Sequence, residues 1–241
     1  MQSRILLTGL ALIFARVGYS QAEPNLAPIM VLPDVEIHDR INRLVVASGR
    51  EERKRWHLMA PGGATAVRFH APRAQYHELR QLRLHLHHVG HLREGQLQIR
   101  VASVSATGAP SDNNLLPDDV LLTTTDLRRA NRHLTLEWPT AHLLVPAGGF
   151  FIVIECLGQS TDEYSSRLLP PGKDGILRYE ISHQAHPQSP TRLAEARNFP
   201  ALQTAQLNPS TAESWYRDTV TQEWRRNHPG QAVILVEAVF E

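Results

Sequence analysis

The stretch LRQLRLHLHHVGHLREGQLQIRVASV, residues 79–104, decides the fold class, because apolar and polar side chains alternate along two of its runs. Both runs place an aliphatic residue at every second position, at Leu82, Leu84 and Leu86 and then at Leu97, Ile99 and Val101. A period of two puts these side chains on one face of a β-strand, opposite the polar residues. The glycine-bearing segment 90–95 between the runs predicts an antiparallel hairpin whose two apolar faces cover one core.

Similar short runs, separated by turn-forming residues, continue through the rest of the chain. Strands are predicted at residues 64–70, 120–124, 134–138, 143–145, 150–157, 175–180 and 232–240. The run at 150–157 is the most apolar, which predicts a central strand. Segments 158–175 and 182–214 are polar, contain proline and lack periodicity, which predicts long loops. The sequence therefore predicts an all-β antiparallel sandwich, jelly-roll-like, with long loops.

The composition is typical of a folded protein and gives no electrostatic reason to expect nucleic acid as a partner. The 241 residues include 25 Lys and Arg against 24 Asp and Glu, and 42% are hydrophobic. No long basic run occurs, so the footprint of a nucleic-acid-binding protein is missing from the sequence. We expect residues 61–241 to form the sandwich domain. Residues 23–60, with Pro33 in an extended stretch and no clean period after it, predict an extended segment or linker.

Residues 1–22 have the layout of a secretory signal peptide. Arg4 supplies the positive charge, residues 5–15 form an apolar run, and Ser20-Gln21-Ala22 provides a small-x-small cleavage site. The apolar run is shorter than the ~20 residues that cross a bilayer, so no transmembrane span is expected in the mature chain. The alternative is a short membrane anchor or a buried N-terminal helix. We expect export to the periplasm, the cell surface or the medium.

Cys156 is the only cysteine and lies within the apolar run at 150–157. One cysteine cannot form an intramolecular disulfide, so the fold must depend on its core. A thiol inside a strand is expected to be buried and inert rather than a catalytic nucleophile.

Several segments, in this order, resemble a group of exported bacterial proteins. They are the Leu/His strand at 82–87, QLQIRV at 96–101, TGAP at 107–110, NNLL at 113–116 and LVPAGGFFIVIE at 144–155. Together they resemble uncharacterised exported β-sandwich proteins of the Bacteroidota, some of which look like proteins with an N-terminal carboxypeptidase-like regulatory domain.

The segment LPDVEI at 32–37 is similar to the one that follows such a regulatory domain, while too few residues precede Leu32 for the domain itself. The resemblance implies a sandwich of the cell envelope or surface with an undefined ligand, and carbohydrate-binding modules are a looser relative. It brings no catalytic residues with it.

His85 and His87 are the candidate metal ligands. They lie at positions i and i+2 of a predicted strand and so project from the same face. Two imidazoles can supply two ligands, and a third from a neighbouring strand would complete a catalytic zinc site with an open position. The competing interpretation is that both histidines, like Arg83, decorate a solvated face, since neither a third ligand nor a partnering carboxylate is apparent from the sequence.

Trp215, Tyr216 and Trp224 are the candidate ligand-binding residues, because they flank a polar turn. Exposed aromatic side chains on a sandwich can stack on sugar rings. The competing interpretation is that the tryptophans, Trp56 and Trp138 included, are needed in the core of a protein in which only 6% of residues are aromatic.

The sequence contains no nucleophile elbow, no His-Glu-x-x-His pair and no phosphate-binding glycine loop. We therefore predict no catalytic residues and no cofactor. The expected function is a non-enzymatic binding or structural module of the cell envelope, with a glycan or an envelope protein as ligand. The alternative is a secreted metal-dependent hydrolase that uses His85 and His87. A third hypothesis is that an edge strand within residues 29–37 pairs with a partner chain.

Overall fold

The structure is a computed structural model that describes residues 43–70, 78–87, 89–138, 143–158, 163–183, 191–207, 212–217, 222–228 and 232–241. The chain divides into two compact units, Met1–Arg40 and Ile41–Glu241, and every described residue belongs to the second. The predicted signal peptide at 1–22 and the predicted edge strand at 29–37 lie outside the described residues. Within the described ranges, no helix is long and apolar enough to cross a membrane.

The described chain is dominated by β-strands. One short helix, α1 (Thr124–Ala130), and two 3-10 helices, Val89–His91 and Ala196–Asn198, accompany them. The strands are β1 (Leu44–Ala47), β2 (Gly49–Leu58), β3 (Ala64–Phe69), β4 (Glu78–His85), β5 (Gln96–Val104), β6 (Pro110–Asn114), β7 (Val120–Leu122), β8 (His133–Glu137), β9 (Leu143–Leu144), β10 (Phe150–Leu157), β11 (Glu163–Leu169), β12 (Arg178–His183), β13 (Arg192–Glu195), β14 (Ala201–Leu207), β15 (Ala212–Arg217), β16 (Trp224–Arg226), β17 (Ala232–Ile234) and β18 (Val236–Phe240).

The strands form antiparallel sheets that share one core. A five-stranded sheet has the order β1-β18-β4-β8 with β9 beside β4, and a seven-stranded sheet has the order β16-β15-β3-β10-β5-β6 with β7 beside β5. Two three-stranded sheets have the orders β11-β12-β13 and β17-β14-β2. Leu82, Ile152, Ile181 and Leu202, one from each sheet, belong to the same hydrophobic cluster. The prediction of an all-β antiparallel sandwich is confirmed.

Strand β10 lies inside the seven-stranded sheet, between β3 and β5, which confirms its prediction as a central strand. Phe150, Ile152 and Ile154 face the main core. Phe151 and Val153 face the other way and belong to a second, smaller apolar cluster. Because both faces are buried, every position of the strand favours an apolar residue, which explains the unbroken run in the sequence.

The predicted hairpin between residues 79–89 and 96–104 is wrong, because β4 and β5 lie in different sheets. The alternation itself is confirmed, since the six aliphatic side chains of the two runs are all buried and belong to one cluster. After β4 the chain forms the 3-10 helix Val89–His91, and Leu92 is only 2% exposed. The connection is therefore a crossover between two sheets, and part of it packs into the core. A tight hairpin turn would instead lie on the surface.

The boundary predicted at residue 61 is also wrong, because the sheets already include residues 44–58. Strand β1 pairs with β18, and β2 pairs with β14. The sequence of β2 is GREERKRWHL, and so many charged residues hide the period of two that a half-buried strand normally shows. The part of the predicted linker that lies in the described residues belongs to the sandwich.

The segments predicted as long loops, 158–175 and 182–214, contain the four strands β11, β13, β14 and β15. Several inward positions of these strands carry polar side chains, which hydrogen-bond within the protein. Ser166 of β11 is 8% exposed, and its hydroxyl donates to the carbonyl of Pro61 at 2.8 Å. Thr204 of β14 is 3% exposed, and its hydroxyl donates to the carbonyl of Arg55 at 2.8 Å. Buried polar groups with partners are tolerated in a core, and they erase the apolar periodicity.

Helix α1 follows β7 and was not predicted. A capping box begins it: the amide of Asp126 donates to the Thr123 hydroxyl at 3.3 Å, and the amide of Thr123 donates to the Asp126 carboxylate at 3.0 Å. These two bonds satisfy backbone donors that a helix N-terminus otherwise leaves free. The Thr-x-x-Asp spacing at 123–126 is the feature of the sequence that indicates this helix.

Candidate ligand-binding groove

A groove lies where the chain leaves β4 of the five-stranded sheet and contacts β14 of the sheet β17-β14-β2. Beyond His85, Leu86 forms an isolated bridge with Leu202 of β14. The amide of Leu86 donates to the carbonyl of Arg132 at 2.8 Å, and the amide of His87 donates to the carbonyl of Ala201 at 2.7 Å. These bonds hold the His85–His87 segment at the junction of two sheets, so both histidines face the same groove.

The groove consists of two cavities, a polar half and an aromatic half, whose linings share His87. The polar half has a volume of about 500 Å³, and its lining includes Glu51, His85, His87, Arg132, His133 and Gln203. The aromatic half has a volume of about 230 Å³, and its lining includes Trp56, His87, His91, Arg197 and Phe199. We call the two halves together the histidine groove.

The aromatic half is built around a stacked pair of rings. The rings of Trp56 and His87 lie 4.5 Å apart between centroids, with 9° between their planes. Trp56 is 50% exposed. A tryptophan that is packed on one side and open on the other presents a flat apolar surface to a ligand.

A bulge in β2 brings Trp56 to the groove. The pairing of β2 with β14 shifts register between Gln203 and Thr204, so that Gln203 pairs with Trp56 while Thr204 pairs with Glu52. The Gln203 amide donates to the carbonyl of Glu52 at 2.6 Å and to that of Arg55 at 3.2 Å. These bonds fix both ends of the bulged segment 53–55, and they place Trp56 and Gln203 at adjoining parts of the groove.

In the polar half, His85 contacts side chains of both neighbouring strands. Its Nε2 lies 3.3 Å from Oε1 of Glu237 in β18. Its ring meets that of His133 in β8 edge-on, with 4.9 Å between centroids and 88° between planes. Antiparallel pairing places His133 directly opposite His85.

The structure brings the two predicted metal ligands, His85 and His87, to one groove. The ring of His87 is stacked on Trp56, and His85 faces Glu237 and His133. Among the described residues, no group of three or more His, Cys, Asp or Glu side chains is arranged to hold a metal ion. A catalytic zinc site needs three protein ligands, so the described part of the groove does not supply a complete set.

The three predicted ligand-binding aromatics do not share a surface. Trp215 of β15 and Trp224 of β16 join the second apolar cluster, on the face of the seven-stranded sheet turned away from the main core. Trp215 meets Phe151 edge-on at 6.1 Å, and the guanidinium of Arg217 lies 5.7 Å from the centre of the Trp224 ring. Tyr216 points to the opposite face, because successive residues of a strand alternate. The tryptophan at the groove is Trp56, which is not among the predicted ligand-binding residues.

His57, the neighbour of Trp56 in β2, is expected to make the stability of the fold depend on pH. Desolvation lowers the pKa of its imidazole below 6.5 in the folded protein. The unfolded chain therefore binds this proton more readily, so the free energy of unfolding should decrease as the pH falls below 6.5 and should not respond to this group well above it. We expect His57→Gln to lose less stability than the wild type between pH 7 and pH 5, as measured by urea unfolding.

The matched control is His91→Gln, an exposed position in the same groove. This variant should keep the pH slope of the wild-type protein. Equal slopes for His57→Gln and the wild type would contradict the assignment.

Neither a family model, nor a curated protein, nor a solved structure matches this chain. The resemblance to exported sandwich proteins of the Bacteroidota stays a prediction.

Proposed function

We propose that the protein is a non-enzymatic, exported binding module of the cell envelope and that its histidine groove binds a glycan. The observation that carries the proposal is the stacked pair of Trp56 and His87, half exposed beside a polar cleft. The leader-like residues 1–22 support export.

The two halves of the groove match the two kinds of surface on a sugar. The C–H face of a pyranose ring is apolar and packs on an aromatic ring, as the open face of Trp56 allows. Sugar hydroxyls both donate and accept hydrogen bonds. Arg132 can donate to them, Glu51 can accept from them, and the histidines can do either in their neutral form. A few polar groups placed around an apolar surface are typical of small-ligand sites.

The alternative of a metal-dependent hydrolase requires a third ligand beside His85 and His87. No group of three or more potential metal ligands occurs within the described residues. The ring of His87 is stacked on Trp56, which suits a binding surface. No observation in the described residues favours the hydrolase.

Replacing Trp56 with alanine tests the proposal. The ligand panel is a set of soluble plant, algal and bacterial polysaccharides and their oligosaccharides, titrated into the purified protein by calorimetry. We expect at least one glycan to bind. Trp56→Ala should weaken that binding by about 30-fold, because truncating a central aromatic anchor of an interface costs about 2 kcal/mol or more.

Trp224→Ala is the matched control, since it removes an equal side chain from the other candidate surface. It should leave glycan affinity unchanged. If Trp224→Ala lost binding and Trp56→Ala kept it, the binding site would have to be assigned to the seven-stranded sheet. Absence of binding to every glycan would overturn the proposal and leave a protein ligand or a structural role. Thermal unfolding of each variant shows whether the fold is intact.

A further inference from the structure

The histidine groove is lined by more basic than acidic side chains. The lining carries two arginines and four histidines against one carboxylate, that of Glu51. Counted in the same way, the whole chain has 25 Lys and Arg and 13 His against 24 Asp and Glu, so the ratio of basic to acidic side chains is higher in the groove. A local excess of one sign in a concave site attracts ligands of the opposite charge.

Two of these basic groups already face a carboxylate. Nε of Arg197 lies 2.7 Å from Oε2 of Glu195, and Nε2 of His85 lies 3.3 Å from Oε1 of Glu237. The charge of Arg197 is therefore partly neutralised within the protein, and His85 has a carboxylate neighbour of its own. The remaining permanent cation in the lining is Arg132, whose side chain is exposed and forms no ion pair with another described residue.

The backbone fixes Arg132 at the groove. Its carbonyl accepts the amide of Leu86 at 2.8 Å, which ties it to the strand that carries His85 and His87. Asn131, with φ of 59°, turns the chain between α1 and β8 just before it. Arg132 and His133 consequently line the polar half together, beside His87, which also lines the aromatic half.

We propose that the groove selects an anionic saccharide. The sugar ring lies on Trp56, and an acidic substituent of the saccharide, a carboxylate or a sulfate, is bound by Arg132 with His133 beside it. This inference rests on the proposed glycan-binding function and adds the chemical class of the glycan. A guanidinium binds either anion through two parallel N–H donors, which an ammonium does not offer.

The test pairs each acidic oligosaccharide with a neutral counterpart of the same ring configuration. The probes are oligomers of glucuronate, galacturonate and mannuronate, the same oligomers with their carboxyl groups reduced to alcohols, and a sulfated form of the reduced oligomers. Each is titrated into the wild-type protein and into Arg132→Gln. At least one acidic oligomer should bind about tenfold more tightly than its neutral counterpart, because a hydrogen bond to a charged group is stronger than one to a neutral group. Arg132→Gln should abolish that difference and leave neutral binding unchanged.

Arg129→Gln is the matched control, since it makes the same change in net charge three residues away, in α1 and outside the groove lining. It should keep the preference for the acidic form. Preference for the sulfated form alone would support the anionic class with sulfate as its source. Equal affinity for acidic and neutral oligomers, or no binding of any of these oligomers, would overturn this inference. The glycan-binding function falls only if the wider polysaccharide panel also fails to bind.

Discussion

Replacing Phe150 with alanine is expected to lower the free energy of unfolding by about 3–5 kcal/mol, because the substitution leaves a cavity in a closely packed core. Phe150 is 1% exposed. Its ring lies 5.7 Å from that of Phe69 in the same sheet and 6.0 Å from that of Phe240 in the five-stranded sheet. The side chain thus joins the two largest sheets, and urea or guanidinium unfolding measures the loss.

Leu144→Ala is the control for this substitution. Leu144 is 61% exposed, so its truncation should change stability by less than about 0.5 kcal/mol. A similar loss for the two variants would contradict the placement of Phe150 at the contact between the sheets.

Replacing Gly149 with alanine is expected to cost at least about 2 kcal/mol, because strained backbone and a steric clash each cost about 1–3 kcal/mol. Gly149 has φ of +80°, which disfavours any residue with a Cβ atom, and the added Cβ would lie 2.2 Å from the carbonyl oxygen of Phe69. The backbone must move to relieve that contact, at the start of the central strand β10. Thermal and denaturant unfolding should both show the loss.

The neighbouring glycine provides a matched control. A Cβ added at Gly148 meets no atom within 4 Å, and its φ lies outside the positive range. Gly148→Ala should therefore be neutral or slightly stabilising, since it restricts the unfolded chain. Equal losses at the two glycines would contradict this account of the turn.

The fold class could be predicted from the sequence because alternation is a local property. In β4 and β5, the polarity of each residue indicates whether its side chain faces the core or the solvent. In β10, the unbroken apolar run indicates that both faces are buried. Pairing of strands is not local. The prediction of a hairpin between β4 and β5 is wrong, because the positions of the other strands decide whether two successive strands are joined by a turn or by a crossover.

The candidate site was only half predictable for the same reason. His85 and His87 were identified because they share a strand face, which spacing alone shows. Trp56 was not selected, because its strand carries seven charged or histidine side chains among ten residues and pairs with β14, about 150 residues further along the chain. The contact between Trp56 and His87 forms only in the folded protein, where β2, β14 and the end of β4 come together.

The bulge at residues 53–55 makes the position of Trp56 depend on a strand other than its own. Both ends of the bulge accept hydrogen bonds from β14: Gln203 donates to the carbonyls of Glu52 and Arg55, and Thr204 donates to that of Arg55. The aromatic surface of the groove is therefore carried by β2 but held in place by β14.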